Sequence, residues 1–145
     1  MDFSDNEIAN SETIFDPIRG EYLVATPEER VRQQFVRLLI DSYGYPSVLM
    51  ANEFTIRLGK LSRRCDTVVF DKSLRPLVIV EYKAPHIPLN QKVVEQVFRY
   101  NSVLQVPYIF ITNGRQMAIY RVGYGGCRTE SLPEIPQYSQ LQNPI

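Results

Sequence analysis

The stretch Leu77-Val78-Ile79-Val80-Glu81-Tyr82-Lys83 decides the fold. Four consecutive apolar residues are typical of a strand buried on both faces. That run goes straight into an acid and a base. Residues two apart in a strand point to the same side, so Glu81 and Lys83 project together while Val80 and Tyr82 face the other way. An acid and a base at the end of an interior strand are costly to desolvate unless they are paired or bind a metal. Upstream, Asp66 opens Thr67-Val68-Val69-Phe70, and Asp71-Lys72-Ser73 makes a hairpin turn. The hairpin returns Asp66 to the side of Glu81, so two carboxylates and a lysine converge. On these residues alone, a plain Glu81–Lys83 ion pair with a turn-associated Asp66 competes with a reactive cluster.

Working outward, Thr26-Pro27-Glu28-Glu29 is a strong helix start, with Thr26 as cap, Pro27 at the first position and Glu29 completing a capping box. Val31, Phe35, Leu38 and Leu39 give the helix an apolar face, and Gly44 and Pro46 stop it near Tyr43. Strands are expected over 48–58 and 63–70, joined by a turn at Gly59-Lys60, and then over 77–80. A second helix is expected over 89–104, with Val93, Val97, Tyr100 and Leu104 on one face. Two strands follow at 108–112 and 117–122, around the turn Asn113-Gly114. The order α-β-β-β-α-β-β implies an α/β fold, a mixed central sheet flanked by helices. A short strand is possible at 22–25. Residues 1–21 read as an acidic N-terminal extension, 22–122 as the domain proper and 123–145 as a tail without period.

The chain has 145 residues, enough for one domain with its own core. Its formal net charge is zero, which at face value argues against a partner that is a polyanion. The average hides a gradient. Residues 1–30 carry eight acids and two bases, whereas 55–128 carry four acids and twelve bases. Arginine outnumbers lysine twelve to four, and arginine is the better bidentate phosphate ligand. Two cysteines, Cys65 and Cys127, are too few for a disulfide framework, and there is no zinc spacing. The lone histidine, His86, reads as a loop residue. No apolar stretch approaches a membrane span and no signal peptide is evident, so a cytoplasmic protein is expected.

Asp66, then Glu81-Tyr82-Lys83, then Gln96-Val97-Phe98-Arg99-Tyr100 resembles the PD-(D/E)XK nuclease pattern in its RecB-like form, whose later helix carries Q-x-x-x-Y. The segments 26–33, 80–85, 96–101 and 106–114 resemble the N-terminal domain of type I restriction enzyme R subunits, and the resemblance covers roughly residues 22–122. It departs from the pattern at Cys65, where a proline is usual, and at Tyr82, where a smaller apolar residue is commoner. The resemblance implies a restriction-endonuclease-like fold and Mg²⁺-dependent DNA hydrolysis, with Mn²⁺ as a substitute. Catalytic roles fall on Asp66, Glu81, Lys83, Gln96 and Tyr100. Asp66 and Glu81 offer hard oxygen ligands suited to Mg²⁺. The pattern also implies an acid on the first helix. Counting about 100° per residue, Glu28 falls about 20° from Phe35 and Glu29 about 160° from Val31, so Glu28 is the expected third ligand and Glu29 its competitor. Arg63, Arg64, Arg99 and Arg32 are the expected nucleic-acid contacts.

DNA is therefore the expected partner, together with other restriction or motor subunits, since no Walker-type loop is present. Two other readings stay open here: a non-catalytic nucleic-acid-binding or scaffolding module on the same fold, and a Holliday-junction-resolvase-like nuclease.

Overall fold

The computed structural model describes residues 13–142. Strands β1 (Thr13–Asp16) and β2 (Glu21–Val24) form a small antiparallel hairpin. Helix α1 (Pro27–Tyr43) leads into a six-stranded sheet made of β3 (Met50–Leu58), β4 (Leu61–Phe70), β5 (Pro76–Tyr82), β6 (Tyr108–Thr112), β7 (Met117–Arg121) and β8 (Glu130–Leu132). Helix α2 (Gln91–Asn101) and a 3-10 turn over Ser102–Leu104 carry the chain from β5 to β6. That crossover makes β5 and β6 a parallel pair in an otherwise antiparallel sheet, which places the apolar run of β5 in the interior.

Each helix end has a local cause. The Glu29 amide donates to Thr26 Oγ1 at 3.1 Å, and Gly44 closes α1 in the left-handed region at φ 71°. Asn90 Oδ1 caps α2 by accepting from the Val93 amide at 3.0 Å. The two helices cover opposite faces. Val31, Phe35, Val36 and Leu39 of α1 pack with Val78, Val80, Tyr82, Tyr108 and Phe110. Val97 of α2 packs with Ile109 and Ile111, and Leu104 with Ile79, Val68 and Cys65. Alternate residues of β5 and β6 thus feed two cores, the burial on both faces expected of this strand.

Three expectations are corrected. Residues 13–20 are not a loose extension. Asp16 is fully buried and accepts from the amides of Ile18 at 2.8 Å and Arg19 at 3.2 Å and from Asn52 Nδ2 at 3.2 Å, while Arg37 of α1 donates to the Phe15 carbonyl at 2.9 Å. A boundary at residue 22 would divide this hairpin; the rest of the proposed extension, residues 1–12, lies outside the described residues. The segment after Gly123 is not a structureless tail either. It adds β8, buries Ile135 in the α1-side core and accepts a hydrogen bond from Tyr45 Oη at the Pro136 carbonyl, 3.0 Å. Apolar residues spaced by glycines and prolines show no period, yet Leu132, Ile135, Tyr138 and Leu141 pack into the α1-side core. Tyr100, expected on the apolar face of the second helix, is 46% exposed.

One irregularity shapes the neighbourhood of Asp66. Glu53 has φ 52°, a left-handed conformation in the middle of β3. Pairing is in the same register on either side, with Asn52 opposite Thr67 and Phe54 opposite Cys65. The faces are exchanged, however. Met50 lies in the α1-side core, while Ile56 and Cys65 belong to the cluster with Val68 and Ile79, and the Phe54 ring meets Phe70 at 5.2 Å. Glu53 and Asp66 therefore mark the root of a hairpin whose side chains have switched sides.

Candidate functional site

Asp66 near the middle of β4, Glu81 near the end of β5, Lys83 just beyond it and Asn101 at the end of α2 come together on the α2 side of the sheet. The Tyr82 amide donates to Asp66 Oδ2 at 2.9 Å, tying the two strands where the regular β4–β5 pairing stops at Thr67–Val80. The Lys83 amide donates to the Thr112 carbonyl at 2.9 Å and extends the parallel ladder by one step. The lysine therefore leaves the sheet from a fixed backbone.

The Glu81 carboxyl is pushed up to about 8. Burial is the largest cause, and the charge on Asp66 adds to it. The Lys83 ammonium opposes both. A hydrogen bond to Asp66 also raises the value, whereas one from Asn101 lowers it. Two carboxylates thus share a partly dehydrated space, and the pair retains a proton near neutrality. The Cys65 thiol beside them is pushed up to about 12 by burial and then by the charges of Glu81 and Asp66, which makes it an unreactive packing residue.

Asn101 is buried. Its Nδ2 donates to the Val97 carbonyl at 2.9 Å, and its Oδ1 has no partner among the described residues. A buried amide oxygen without a donor, next to two carboxylates competing for one proton, is an oxygen-rich setting that suits a hard divalent cation. Asn101 was not singled out from the sequence. The signal was present: it lies four residues after Val97 and eight after Val93, a polar residue on an apolar stripe.

The helix-borne acid is corrected. Glu28 is exposed, and Glu29 is the acid that turns inward. A full capping box would have aimed the Glu29 side chain at the Thr26 amide, but that amide donates to the Val24 carbonyl at 3.0 Å. Released from capping, Glu29 Oε1 accepts from Gln33 Nε2 at 2.8 Å and its Oε2 lies 3.4 Å from Arg32 Nε. Among the described residues no three His, Cys, Asp or Glu side chains gather to hold a metal, so neither glutamate of α1 completes a cluster with Asp66 and Glu81.

Tyr82 explains the separation. Its ring stands on the α1 side, edge-on to Phe35 at 6.2 Å, with the Arg32 guanidinium 5.8 Å above it. Its hydroxyl and Thr67 Oγ1 are 2.9 Å apart, and Thr67 donates to Asn52 Oδ1 at 2.7 Å, a buried chain that ends at Asp16. The large residue at this position ties the site strand to the N-terminal hairpin.

The expected DNA-contacting arginines divide. Arg32 has only 12% of its side chain exposed and pairs with Glu29 and with Glu53 at 3.6 Å; it serves the interior, not a phosphate. Arg64 is open to solvent but engages Glu53 at 3.1 Å. Burial works against the charge on Glu53, but the Arg19 hydrogen bond and the charges of Arg32, Arg19 and Arg64 outweigh it and hold the carboxyl below its usual range. Arg63 stacks over the Tyr100 ring at 4.9 Å and donates to the Tyr100 carbonyl at 3.0 Å. Gln96 and Arg99 are exposed on α2.

The architecture is that of a mixed α/β domain with two helices, bearing a carboxylate pair and a lysine where an interior strand leaves the sheet. The chain belongs to the family of the type I restriction enzyme R protein N terminus (HSDR_N), whose model matches residues 27–136. Among solved structures it is similar to a fragment described as an HsdR subunit of a type I restriction enzyme from Vibrio vulnificus YJ016, with 16% identity and a TM-score of 0.55. The match covers 90% of this chain and 25% of that one, so this chain spans about a quarter of its neighbour's length. No curated protein matches the chain. Among the described residues no helix is long and apolar enough to cross a membrane.

Proposed function

We propose that this domain is a metal-dependent DNA endonuclease of the PD-(D/E)XK type on a restriction-endonuclease-like fold, working in the cytoplasm within a type I restriction system beside other subunits. The observation that carries the reading is the Asp66–Glu81 pair, two partly buried carboxyls in hydrogen-bond contact beside Lys83. Asp66 and Glu81 would hold Mg²⁺ or Mn²⁺, with the orphaned Asn101 Oδ1 as a further oxygen at the rim. When bound, such an ion supplies charge stabilisation at phosphorus and a more acidic water. Mg²⁺ commonly takes one or two protein carboxylates plus water and substrate phosphate, so a two-carboxylate site needs no third acid.

The chain's own residues then have distinct tasks. Asp66 is held by the Tyr82 amide, so its orientation is set before a ligand arrives. Glu81 must give up its proton to act as a ligand. Lys83 offsets the charge of the carboxylates and would orient water and donate to a phosphate oxygen. Gln96 and Tyr100, one turn apart and exposed on α2, would contact the substrate from that helix.

The test is incubation with plasmid and linear DNA in Mg²⁺, Mn²⁺ or EDTA, beside Lys83→Ala. Nicking or linearisation that requires the ion and falls at least about a hundredfold in the variant is expected. Cleavage that persists in EDTA or in Lys83→Ala would overturn the mechanism. Branched substrates cut in preference to linear duplex would point to a resolvase instead.

A further inference from the structure

We infer that the outer part of the β3–β4 hairpin is an arm that lies in a groove of duplex DNA. The inference deepens the nucleolytic reading and rests on it for the identity of the polyanion.

The hairpin outgrows the sheet. Pairing between β4 and β5 starts at Thr67, so from Phe54–Cys65 outward β4 has only β3 beside it. The free ribbon runs from that pair to Leu58–Leu61, about 15 Å at the usual strand rise. A two-residue turn closes it, with Gly59 at φ 59° in the first turn position, where a side chain would be strained. An antiparallel ribbon is of the width that the major groove admits.

Its charge is one-sided. Residues 54–65 hold Arg57, Lys60, Arg63 and Arg64 and no acid. Arg57 and Lys60 are exposed and make no ion pair among the described residues. Arg63 fastens the ribbon to α2 through Tyr100, and Arg64 fastens it to Glu53 at its root. Two arginines thus brace the arm while the outer two cations face solvent. At the tip, Leu58 and Leu61 sit opposite one another, 49% and 43% exposed. Apolar tips flanked by cations are what groove-binding proteins press against base edges or between base steps. A protein partner would also welcome the leucines, but Arg57 and Lys60, exposed beside them on a ribbon without an acid, favour the polyanion.

Position supplies the link to the site. Asp66 is the next residue after the arm's last pair, so the arm is rooted at the Asp66–Glu81 pair. The face exchange at Glu53 is part of the device, because it places Arg63 against α2 and leaves Arg57 and Arg64 on the opposite face of the ribbon.

The experiment measures binding without turnover. The full chain is titrated against a fluorescent duplex of about 25 base pairs in EDTA, by anisotropy over a range of salt. Each phosphate contact adds about 0.9 to the log–log salt slope. Arg57→Gln/Lys60→Gln should lower the slope by about 1.8 and weaken binding roughly tenfold at moderate salt. Leu58→Ser/Leu61→Ser should weaken binding several-fold at an unchanged slope. Lys72→Gln, at the far end of β4, is the comparison for loss of general charge. An Arg57/Lys60 variant no weaker than Lys72→Gln, or a wild-type chain that does not bind duplex, would overturn the inference. So would leucine substitutions that leave DNA binding intact but change the sedimentation of the protein, which would mark the tip as a protein-docking surface. Because these variants leave Asp66, Glu81 and Lys83 in place, failure of the arm and failure of the nuclease reading give different results: the first spares metal-dependent cleavage, the second abolishes it.

Discussion

If Asp66 and Glu81 are metal ligands, ion binding must expel the proton that they share. Glu81 stands at about 8 in the free protein, because burial and the neighbouring Asp66 charge outweigh Lys83. At pH 7 the pair then holds about 0.9 proton and at pH 9 about 0.1, so binding of Mg²⁺ or Mn²⁺ should release those amounts. The same competition weakens apparent affinity about tenfold at pH 7 relative to the alkaline plateau. The sign for stability follows. The folded value lies above the ordinary 4.5, so the metal-free fold gains a proton relative to the unfolded chain between those values. Its stability is greatest below about 4.5 on this account, falls as pH rises, and levels off above about 8. Bound metal should reverse that trend. Calorimetry of Mn²⁺ binding in buffers of different ionisation enthalpy measures the protons released, and carboxyl-selective NMR of the metal-free protein locates the titration. A release below about 0.3 proton at pH 7, or a Glu81 midpoint below about 6, would refute the reasoning.

Three further outcomes are expected. Glu29→Ala should cost about 1–3 kcal/mol in urea unfolding, since it strands Gln33 and the buried Arg32, whereas Glu28→Ala should stay within about 0.5 kcal/mol. A thiol reagent at pH 8 should modify Cys127 quickly and Cys65 only on unfolding, because Cys127 is exposed and the Cys65 thiol is buried and held up to about 12; two fast thiols would contradict the packing around Glu81. Glu53→Gln should raise the salt slope of duplex binding by about 1–2, as Arg19 and Arg64 lose their internal counter-charge, and an unchanged slope would mean that these arginines do not reach phosphate.

The sheet was legible wherever one physical signal dominated. Val78, Ile79 and Val80 are hydrophobic irrespective of which face they meet, and the first helix carried both its start at Thr26 and its stop at Gly44. The site was legible in part for the same reason: Glu81 and Lys83 interrupt an apolar run. Failures arose where a residue had two possible employments. Glu29 could serve as cap or as interior acid, and the Val24 carbonyl decided between them by taking the Thr26 amide first. Asp16 looked like one of eight acids in a polar segment, yet its carboxylate closes the β1–β2 turn and receives Asn52 from a strand remote in sequence. The left-handed Glu53 carried no signal, because nothing local asks for it; three arginines from three different elements hold its carboxylate.

Those arginines also change the meaning of the charge count. A net charge of zero and a basic middle segment are sums along a chain, whereas a phosphate responds to charges left uncancelled within about one Debye length, roughly 8–10 Å. Asp16, Glu29 and Glu53 are set against Arg19, Arg32 and Arg64 at contact distance on the α1 side. There, acids and bases from distant segments neutralise one another and stiffen the link between hairpin, helix and sheet. On the α2 side, Asp66 and Glu81 compete for one proton beside Lys83. Tyr82 stands between the two arrangements, its backbone amide on Asp66 and its side chain among the α1-side ion pairs. One strand therefore has paired charges behind it and a proton-sharing carboxylate pair in front. On the metal-site proposal that asymmetry has a use: the proton held on the α2 side is the charge an ion would replace, whereas the α1-side pairs leave none to exchange.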